Sequence, residues 1–285
     1  MMQRILSVSA APYDGYAFPK VLDSLASCGV SHVEPAFIVG YTEPFNEDAF
    51  SPERARQYVE WLKASGLGCY AFSSHIDLGR PDAVEVFSRR MDFVAGVGAT
   101  VINTNASARQ DSARFFRNIE ALIPYAEQLD LVICLENLGD GSDNLLSTAQ
   151  DGIELIQRIG SPRVRLNYDA ANTASHRPED GFDGVNPADD AILALPYCGH
   201  VHIKDIRISP EGYFFKPIGE GDIGCGRILA ALAATALNLS IELPLRLHRG
   251  PDALPRRRPQ PVPRAEIESA VRASLAFVRQ HLAVS

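Results

Sequence analysis

The 285-residue sequence lacks several features that would set it apart from ordinary soluble globular proteins. Its cysteines are few and scattered, with no Cys-x-x-Cys pair, so we predict reduced thiols rather than a disulfide framework; they are Cys28, Cys69, Cys134, Cys198 and Cys225. No apolar run approaches the length of a membrane span, and the apolar stretch in MMQRILSVSAAPYDG is too short for a signal peptide. We therefore expect a cytoplasmic protein with no membrane partner.

The sequence also lacks an excess of basic residues. Lys and Arg number 27 against 35 Asp and Glu, which gives a formal net charge of −8. A nucleic-acid backbone requires a basic face, and the three consecutive arginines from Arg256 to Arg258 are too few and too isolated to supply one. We therefore expect no nucleic-acid partner.

What the sequence does contain is an alternation of short β-branched runs with amphipathic helical segments. The helical segments include one with Ser51 as N-cap and Pro52 at the first helical position. Eight runs are candidate strands: RILSVS, HVEP, GCYAFSS, TVINTN, LVICLEN, VRLNYDA, HVHIKDI and LSIELP. This pattern predicts an α/β fold, a single-domain (β/α)₈ TIM barrel over residues 1–285. The alternative, an open doubly wound sheet, usually carries a glycine-rich turn after its first strand, and SVSAAPYDGY is not one.

One compositional irregularity interrupts this pattern near the C-terminus. The segment LHRGPDALPRRRPQPVPRAE, residues 247–266, is rich in proline and arginine. We expect a loop between the last strand and the last helix, covering either the barrel mouth or a partner subunit.

Four successive candidate strands end in ionisable residues on the same predicted face. Strand alternation turns Glu136, Asp169, His202 and Glu242 toward the barrel interior. The steps between them are 33, 33 and 40 residues, each about one β/α unit, so the four would meet at one rim. A single such residue is usually solvated or part of the core, but four in register favour a common site.

The composition of this set predicts a divalent metal ion. Three clustered carboxylates would repel one another and raise one another's pKa, and a cation removes that conflict. Three oxygen ligands and one nitrogen suit Mn²⁺, Mg²⁺ or Co²⁺ better than a metal that prefers thiolates. We expect Mn²⁺, with Mg²⁺, Co²⁺ or Zn²⁺ as alternatives.

The stretch CGHVHIKDIR places two further polar side chains on the face of His202. His200 lies one pleat deeper, about 7 Å by strand rise, and we expect it to hydrogen-bond inside the barrel in support of the ligands. Lys204 lies one pleat farther toward the rim. It could neutralise a substrate oxyanion or carboxylate, or pair with Asp169 or Glu242, and the sequence leaves both open.

The motifs CLENLGD, NYDAAN, HVHIKD, PIGEGDI and LSIELP, with AFSSHIDLG before them, resemble the sugar phosphate isomerase/epimerase superfamily. These xylose isomerase-like TIM barrels include ketose 3-epimerases, hydroxypyruvate isomerase, inosose dehydratase and, more distantly, endonuclease IV. The resemblance implies Glu136, Asp169, His202 and Glu242 as metal ligands. It also implies Glu136 and Glu242 as an acid/base pair on either face of the substrate.

The resemblance carries less information about substrate contacts. His75 looks like the family's third-strand histidine near the substrate. Asn172 stands where ketose 3-epimerases usually carry a histidine, and Arg207 lies beside the position of their arginine. Arg246 is a further candidate at a strand end. The additional histidines of endonuclease IV have no counterpart here, which disfavours a DNA-repair function.

These observations predict an isomerase or epimerase of a sugar or sugar acid. A metal-assisted enediolate would form when one carboxylate removes a proton α to a carbonyl, and the other would return it. The same intermediate could expel a β-hydroxyl, which is the reaction of a dehydratase. The alternative is a metal-dependent lyase, a dehydratase or decarboxylase of a keto-sugar acid or keto-inositol. A non-catalytic or nucleic-acid-binding relative is the third hypothesis. The expected partner is a small carbohydrate, and a homo-oligomer, dimer or tetramer, is left open.

Overall fold

The computed structural model describes residues 4–38, 42, 44–176 and 185–282. Its strands, in chain order, are β1 (Leu6–Ser9), β2 (His32–Glu34), β3 (Ala36–Phe37), β4 (Gly68–Cys69), β5 (Ala71–Ser74), β6 (Val101–Asn105), β7 (Val132–Glu136), β8 (Val164–Asp169), β9 (Cys198–Ile203), β10 (Asp205–Ser209), β11 (Gly212–Lys216), β12 (Leu239–Ile241), β13 (Leu247–Arg249) and β14 (Pro255–Arg257).

Ten of these strands form one closed parallel sheet. Their order is β3-β5-β6-β7-β8-β9-β12-β1-β2-β4. Proline at position 35 separates β2 from β3, and Tyr70 separates β4 from β5, so each pair forms one strand position. Because β2 pairs with β4 and β3 pairs with β5, the two ends of the sheet meet and eight positions close into a barrel. The (β/α)₈ TIM barrel prediction is confirmed, and the open-sheet alternative is wrong.

Helices cover the outside of the barrel and bury their apolar faces on it. They are α1 (Phe18–Ser27), α2 (Pro52–Ser65), α3 (Ala83–Val97), α4 (Ser112–Gln128), α5 (Ala149–Ile159), α6 (Ala170–His176), α7 (Pro187–Ala194), α8 (Cys225–Ala233) and α9 (Arg264–Leu282). The predicted cap of α2 is present, since Oγ of Ser51 accepts a hydrogen bond from the backbone N–H of Arg54 at 3.2 Å. Within the described ranges, no helix combines the length and apolar character that a bilayer span requires.

A second, antiparallel sheet lies beyond the barrel strands, in the order β10-β11-β13-β14. It changes two sequence expectations. The candidate strand HVHIKDI divides at Lys204, and its second part pairs with β11 instead of continuing the barrel. The proline- and arginine-rich segment is not only a loop, because β13 and β14 fall within it. Pro255 is tolerated there because it begins a strand at the sheet edge.

A close backbone approach holds the hairpin of β10 and β11 against β13. Gly212 has φ of +131°, and a Cβ atom at this position would lie 2.2 Å from the carbonyl oxygen of Arg249. Only glycine fits both the conformation and the space.

A buried ion-pair group attaches the C-terminal segment to the barrel. Asp14 accepts hydrogen bonds from Nε and Nη2 of Arg257 at 2.7 and 3.0 Å, and from Nη1 of Arg246 at 3.3 Å. The Asp14 side chain is fully buried and that of Arg246 nearly so. Nη2 of Arg246 also donates to the carbonyl oxygen of Pro259 at 2.6 Å. The two arginines therefore share one carboxylate across distant parts of the chain.

We predict that Asp14→Ala lowers the free energy of unfolding by about 3 kcal/mol, because breaking a buried ion pair leaves charge without compensation. Urea unfolding followed by circular dichroism measures the change. Glu85→Ala is the control, since its ion pair with Arg89 is solvent-exposed and should contribute less than about 0.5 kcal/mol. Equal losses in the two variants would contradict this role of Asp14.

Candidate metal centre and active-site cavity

Four ionisable side chains converge at the C-terminal rim of the barrel. Glu136 ends β7 and Asp169 ends β8, His202 lies near the end of β9, and Glu242 directly follows β12. The strand register aligns them, since Asp169 and Ser240 both lie opposite His202 on neighbouring strands. Each of the four offers a ligand atom within 4.8 Å of the others, and all are buried. The set predicted from strand alternation therefore meets in one place.

His202 lies between carboxylates on both sides of its ring. Its Nε2 atom is 2.9 Å from Oε1 of Glu34. Its Nδ1 atom faces the rim cluster, 3.4 Å from Oε2 of Glu136 and 3.6 Å from Oε2 of Glu242. Burial alone would lower the pKa of His202, but the three carboxylates together raise it well above its ordinary value. The surrounding carboxylates therefore favour the protonated form of the ring.

Lys204 brings a second positive charge to the cluster. Its ammonium group forms ion pairs with Oδ2 of Asp169 and, at 2.5 Å, with Oε2 of Glu242. Burial raises the pKa of Asp169, and although the Lys204 charge opposes this, the charges of Glu136 and Glu242 add to it. The sequence left two roles open for Lys204, contact with a substrate and pairing with Asp169 or Glu242. The structure shows the pairing, with both carboxylates. The side chain also forms part of a cavity wall, so contact with a substrate stays a prediction.

The cluster contains a buried nitrogen of the kind that a cation satisfies. Among the described residues, Nδ1 of His202 is buried without a hydrogen bond, whereas Oδ2 of Asp169 and Oε2 of Glu242 have the Lys204 ammonium as their partner. Buried polar atoms normally have a partner. Three carboxylates and one imidazole match the preferences of Mn²⁺, Mg²⁺ or Co²⁺ and can also bind Zn²⁺. The residues present therefore fit a divalent metal ion.

Neighbouring side chains hold Glu136 in one orientation. Its Oε1 accepts a hydrogen bond from Nδ2 of Asn172 at 3.1 Å. Its Oε2 accepts one from Nδ2 of Asn167 at 3.1 Å and lies 3.3 Å from Nε2 of His75. Burial alone would raise the pKa of Glu136, but His202 and then His75 lower it to about 2. Glu136 is therefore ionised and fixed in orientation.

A cavity of about 470 Å³ lies against this cluster, within the size range of small-molecule sites. Five of the predicted site residues reach its wall: Glu136, Glu242, His75, Asn172 and Lys204. The remaining wall comes largely from segments that follow the barrel strands. It combines the apolar residues Ile38, Phe45, Ile76, Leu138 and Pro255 with the polar residues Glu47, Asp77, Arg80, Arg90, Asn105, Asn137, Asp140 and Arg249. Such a mixed wall is typical of small-molecule sites, and its polar groups offer hydrogen bonds to a hydroxylated ligand.

Two predicted substrate contacts have other surroundings. Arg207 is exposed on β10, and its Nη2 donates to the carbonyl oxygen of Glu220 at 2.7 Å. Arg246 belongs to the ion-pair group of Asp14. Neither arginine is among the residues that line the cavity, because each follows the chain into the outer sheet or the C-terminal segment. A substrate role for either remains untested.

A carboxylate organises the turn in the motif PIGEGDI. Asp205 accepts hydrogen bonds from the backbone N–H groups of Gly219, Gly221 and Ile223 at 2.9, 3.1 and 3.2 Å. Helix α8 begins shortly afterwards, at Cys225. These amides are occupied and do not form a phosphate loop.

Sequence reasoning missed Glu34, which ends β2 and contacts both His200 and His202. Its signal was available, since the candidate strand HVEP carries a glutamate near its end as the later strands do. The spacing argument began only at Glu136, and alternation alone gives no indication that a carboxylate will be enclosed by the barrel. The predicted hydrogen bonding of His200 inside the barrel is confirmed, with Nε2 3.0 Å from Oε2 of Glu34.

Comparison with known proteins agrees with this fold and site. A family model described as a xylose isomerase-like TIM barrel matches residues 22–280. This chain belongs to the xylose isomerase-like TIM barrel family.

Individual relatives of this family are more distant. A D-psicose 3-epimerase of Enterocloster bolteae is 28% identical over 101 residues, which are 35% of this chain and 31% of that protein. The crystal structure of D-psicose 3-epimerase with D-tagatose from Clostridium cellulolyticum H10 has a TM-score of 0.73 at 16% identity, covering 98% of this chain and 99% of that one. The probable 3-DHS dehydratase of petrobactin synthesis from Bacillus anthracis has a TM-score of 0.68 at 15% identity, and the match covers 96% of this chain and 98% of that one. These structural similarities establish the fold.

We predict that Lys204→Met destabilises the metal-free protein by about 3 kcal/mol, because Asp169 and Glu242 lose the charge that compensates them in a buried site. Urea unfolding in the presence of a chelator measures the loss. Lys20→Met, at an exposed position of α1, is the control and should change stability by less than about 0.5 kcal/mol. A Lys204→Met variant as stable as the control would show that the ion pairs contribute little.

Proposed function

We propose that this protein is a divalent-metal-dependent isomerase or epimerase of a sugar or sugar acid. The observation that carries this proposal is the convergence of Glu136, Asp169, His202 and Glu242 beside a cavity of small-molecule size. Membership of the xylose isomerase-like family and a structural similarity to a D-psicose 3-epimerase support it.

In this proposal, the three rim carboxylates and Nδ1 of His202 would hold the ion, and Mn²⁺ is the expected metal. When bound, the ion would act as a Lewis acid that stabilises negative charge on the substrate oxygens. Lys204, which otherwise balances Asp169 and Glu242, would then be available at the cavity wall for a substrate oxyanion.

Glu136 and Glu242 are the proposed acid/base pair. Both reach the cavity, and their strands β7 and β12 are separated in the sheet by β8 and β9, so they approach a bound molecule from different sides. One carboxylate would remove the proton α to a carbonyl, and the other would return it. Return to the opposite face of the same carbon gives epimerisation, and return to the neighbouring carbon gives aldose–ketose isomerisation.

Asn172 and His75 are proposed to contact substrate while orienting Glu136. The Asn172 amide is shared between Oε1 of Glu136 and, at 3.0 Å, the carbonyl oxygen of Asn137. Nδ1 of His75 lies 2.8 Å from Oδ1 of Asn105, which fixes the plane of its ring beside Glu136. Because Asn172 replaces the histidine of ketose 3-epimerases, we do not extend their substrates to this protein.

A metal-dependent lyase acting on a keto-sugar acid or keto-inositol is the second candidate. Two observations support this lyase alternative: the structural similarity to a probable dehydratase and the asparagine at position 172. Dehydration would start with the same proton abstraction by a carboxylate, and the intermediate would then expel a β-hydroxyl. Decarboxylation would reach an enolate by loss of CO₂, and a carboxylic acid of the pair would then protonate it.

Solvent exchange distinguishes these functions. Protein loaded with Mn²⁺ and protein stripped by a chelator are each incubated in D₂O with a panel of ketoses and keto-sugar acids, and the products are followed by NMR and mass spectrometry. Deuterium incorporated next to the carbonyl without loss of water or CO₂ supports an isomerase or epimerase. Loss of water or CO₂ supports the lyase. Absence of any metal-dependent reaction across the panel, together with absence of metal binding, would contradict both.

We predict that Glu242→Gln reduces deuterium exchange by at least about 1000-fold, because an amide cannot transfer the proton. Its circular dichroism spectrum should match that of the wild type. Glu60→Gln, on the exposed face of α2, is the control and should retain full exchange. Undiminished activity in Glu242→Gln would remove Glu242 from the acid/base pair.

We also predict that Asp169→Asn weakens Mn²⁺ binding by about 100-fold or more, since it removes one anionic ligand. The substitution keeps an acceptor for the backbone N–H of Ala171, which Oδ1 of Asp169 now serves at 2.9 Å. Isothermal titration calorimetry of the chelator-treated protein gives the affinity. Asp23→Asn, at an exposed position, is the control. Similar affinities in both variants would place the ion elsewhere.

A further inference from the structure

Glu34 is a fully buried carboxylate that gathers donors from four other strand positions of the barrel. Its Oε1 accepts hydrogen bonds from Oγ of Ser73 at 2.5 Å, Nδ2 of Asn103 at 3.1 Å and Nε2 of His202 at 2.9 Å. Its Oε2 accepts from Nε2 of His200 at 3.0 Å and from Oγ of Ser240. Five donors on β5, β6, β9 and β12 therefore surround one anion.

The other donors around Glu34 determine which partner donates in its contact with His202. Oγ of Ser73 and Nδ2 of Asn103 donate to Oε1 of Glu34, and Oγ of Ser240 donates to Oε2. Both carboxylate oxygens are therefore acceptors, and an ionised carboxylate has no proton to donate. In the contact of 2.9 Å between Oε1 and His202, Nε2 of the imidazole is the donor and carries the proton.

A proton on Nε2 of His202 determines what the other ring nitrogen, Nδ1, can do. Nδ1 of His202 is the nitrogen that faces Glu136 and Glu242, and it has no hydrogen bond in the described part of the chain. With Nε2–H fixed on Glu34, Nδ1 is the atom that can release its proton and offer a lone pair to a cation. A carboxylate behind a ligating imidazole also makes the ring a stronger donor.

We propose that Glu34 is a positioning residue, which fixes the tautomer and orientation of His202 so that Nδ1 binds the metal ion. The inference rests on the proposed function, since it requires that the wild-type protein bind a divalent cation. It goes further by assigning a role to a residue that contacts neither the cavity nor the three rim carboxylates. His200 shares Oε2 with Ser240 and thereby helps to orient Glu34.

Glu34→Gln tests the proposal with little change in side-chain shape. The glutamine amide has one acceptor where the carboxylate has two, and it carries no charge to strengthen the imidazole. We expect the affinity for Mn²⁺ to fall by about 10- to 100-fold, measured by calorimetry on the chelator-treated full chain. In the Zn²⁺-loaded wild type, ¹⁵N NMR of His202 should report a protonated Nε2 and a coordinated Nδ1. In Glu34→Gln, the signals of this form should lose intensity or be joined by those of the other tautomer.

Ser240→Ala is the matched control, because it removes one donor from Oε2 of Glu34 while leaving the contact between Oε1 and His202. Its Mn²⁺ affinity should stay within about 3-fold of wild type. Equal losses in Glu34→Gln and Ser240→Ala would indicate a packing effect and overturn the proposal, as would unchanged affinity in Glu34→Gln. If Glu34→Gln does not fold, Glu34→Asp, which keeps the charge but withdraws it from His202, should still lose about 10-fold. Failure of the wild type to bind Mn²⁺ would instead contradict the proposed metal dependence.

Discussion

The compensation of buried negative charge is the constraint on which the rim of this barrel depends. Glu34, Glu136, Asp169 and Glu242 are all buried close to one imidazole. Isolated carboxylates in such a setting would take up protons or prevent folding. Here the ring of His202 lies between Glu34 and the rim, and the ammonium of Lys204 lies between Asp169 and Glu242. Each internal cation thus bridges carboxylates that would otherwise repel one another.

This arrangement links folding to the proposed chemistry. A divalent ion at the rim would compete with the Nδ1 proton of His202 and with the ammonium of Lys204 for the same oxygens, so binding should release protons and free the lysine. In the metal-free protein the buried carboxylates are not left uncompensated, because His202 and Lys204 supply positive charge. Lys204 would thereby have two successive partners, the carboxylates first and a substrate oxygen afterwards.

Sequence reasoning succeeded where a strict periodicity connects residue number to position. A period of two along each strand and a spacing of one β/α unit between strands were enough to bring Glu136, Asp169, His202 and Glu242 together. It failed where the chain leaves the barrel, as at Lys204, after which β10 turns into the outer sheet and takes Arg207 with it. It also missed Glu34, because the partners of that carboxylate come from strands that are far apart in sequence and its own strand is only three residues long.

The structure defines the rim cluster more closely than it defines the substrate, because the two depend on different parts of the chain. The rim cluster belongs to strands whose register is fixed by backbone pairing, whereas most of the cavity wall comes from connecting segments that can change without disturbing the barrel. Asn172 illustrates the difference: it lies at the start of α6, and its amide is engaged by Glu136 and by the backbone of Asn137. Its free contact capacity is therefore limited, and other polar residues of the wall, including Asp77, Asp140 and Arg249, lie within the same cavity. Under the proposed function, the strands would therefore determine the reaction class, and the connecting segments would determine which sugar is bound.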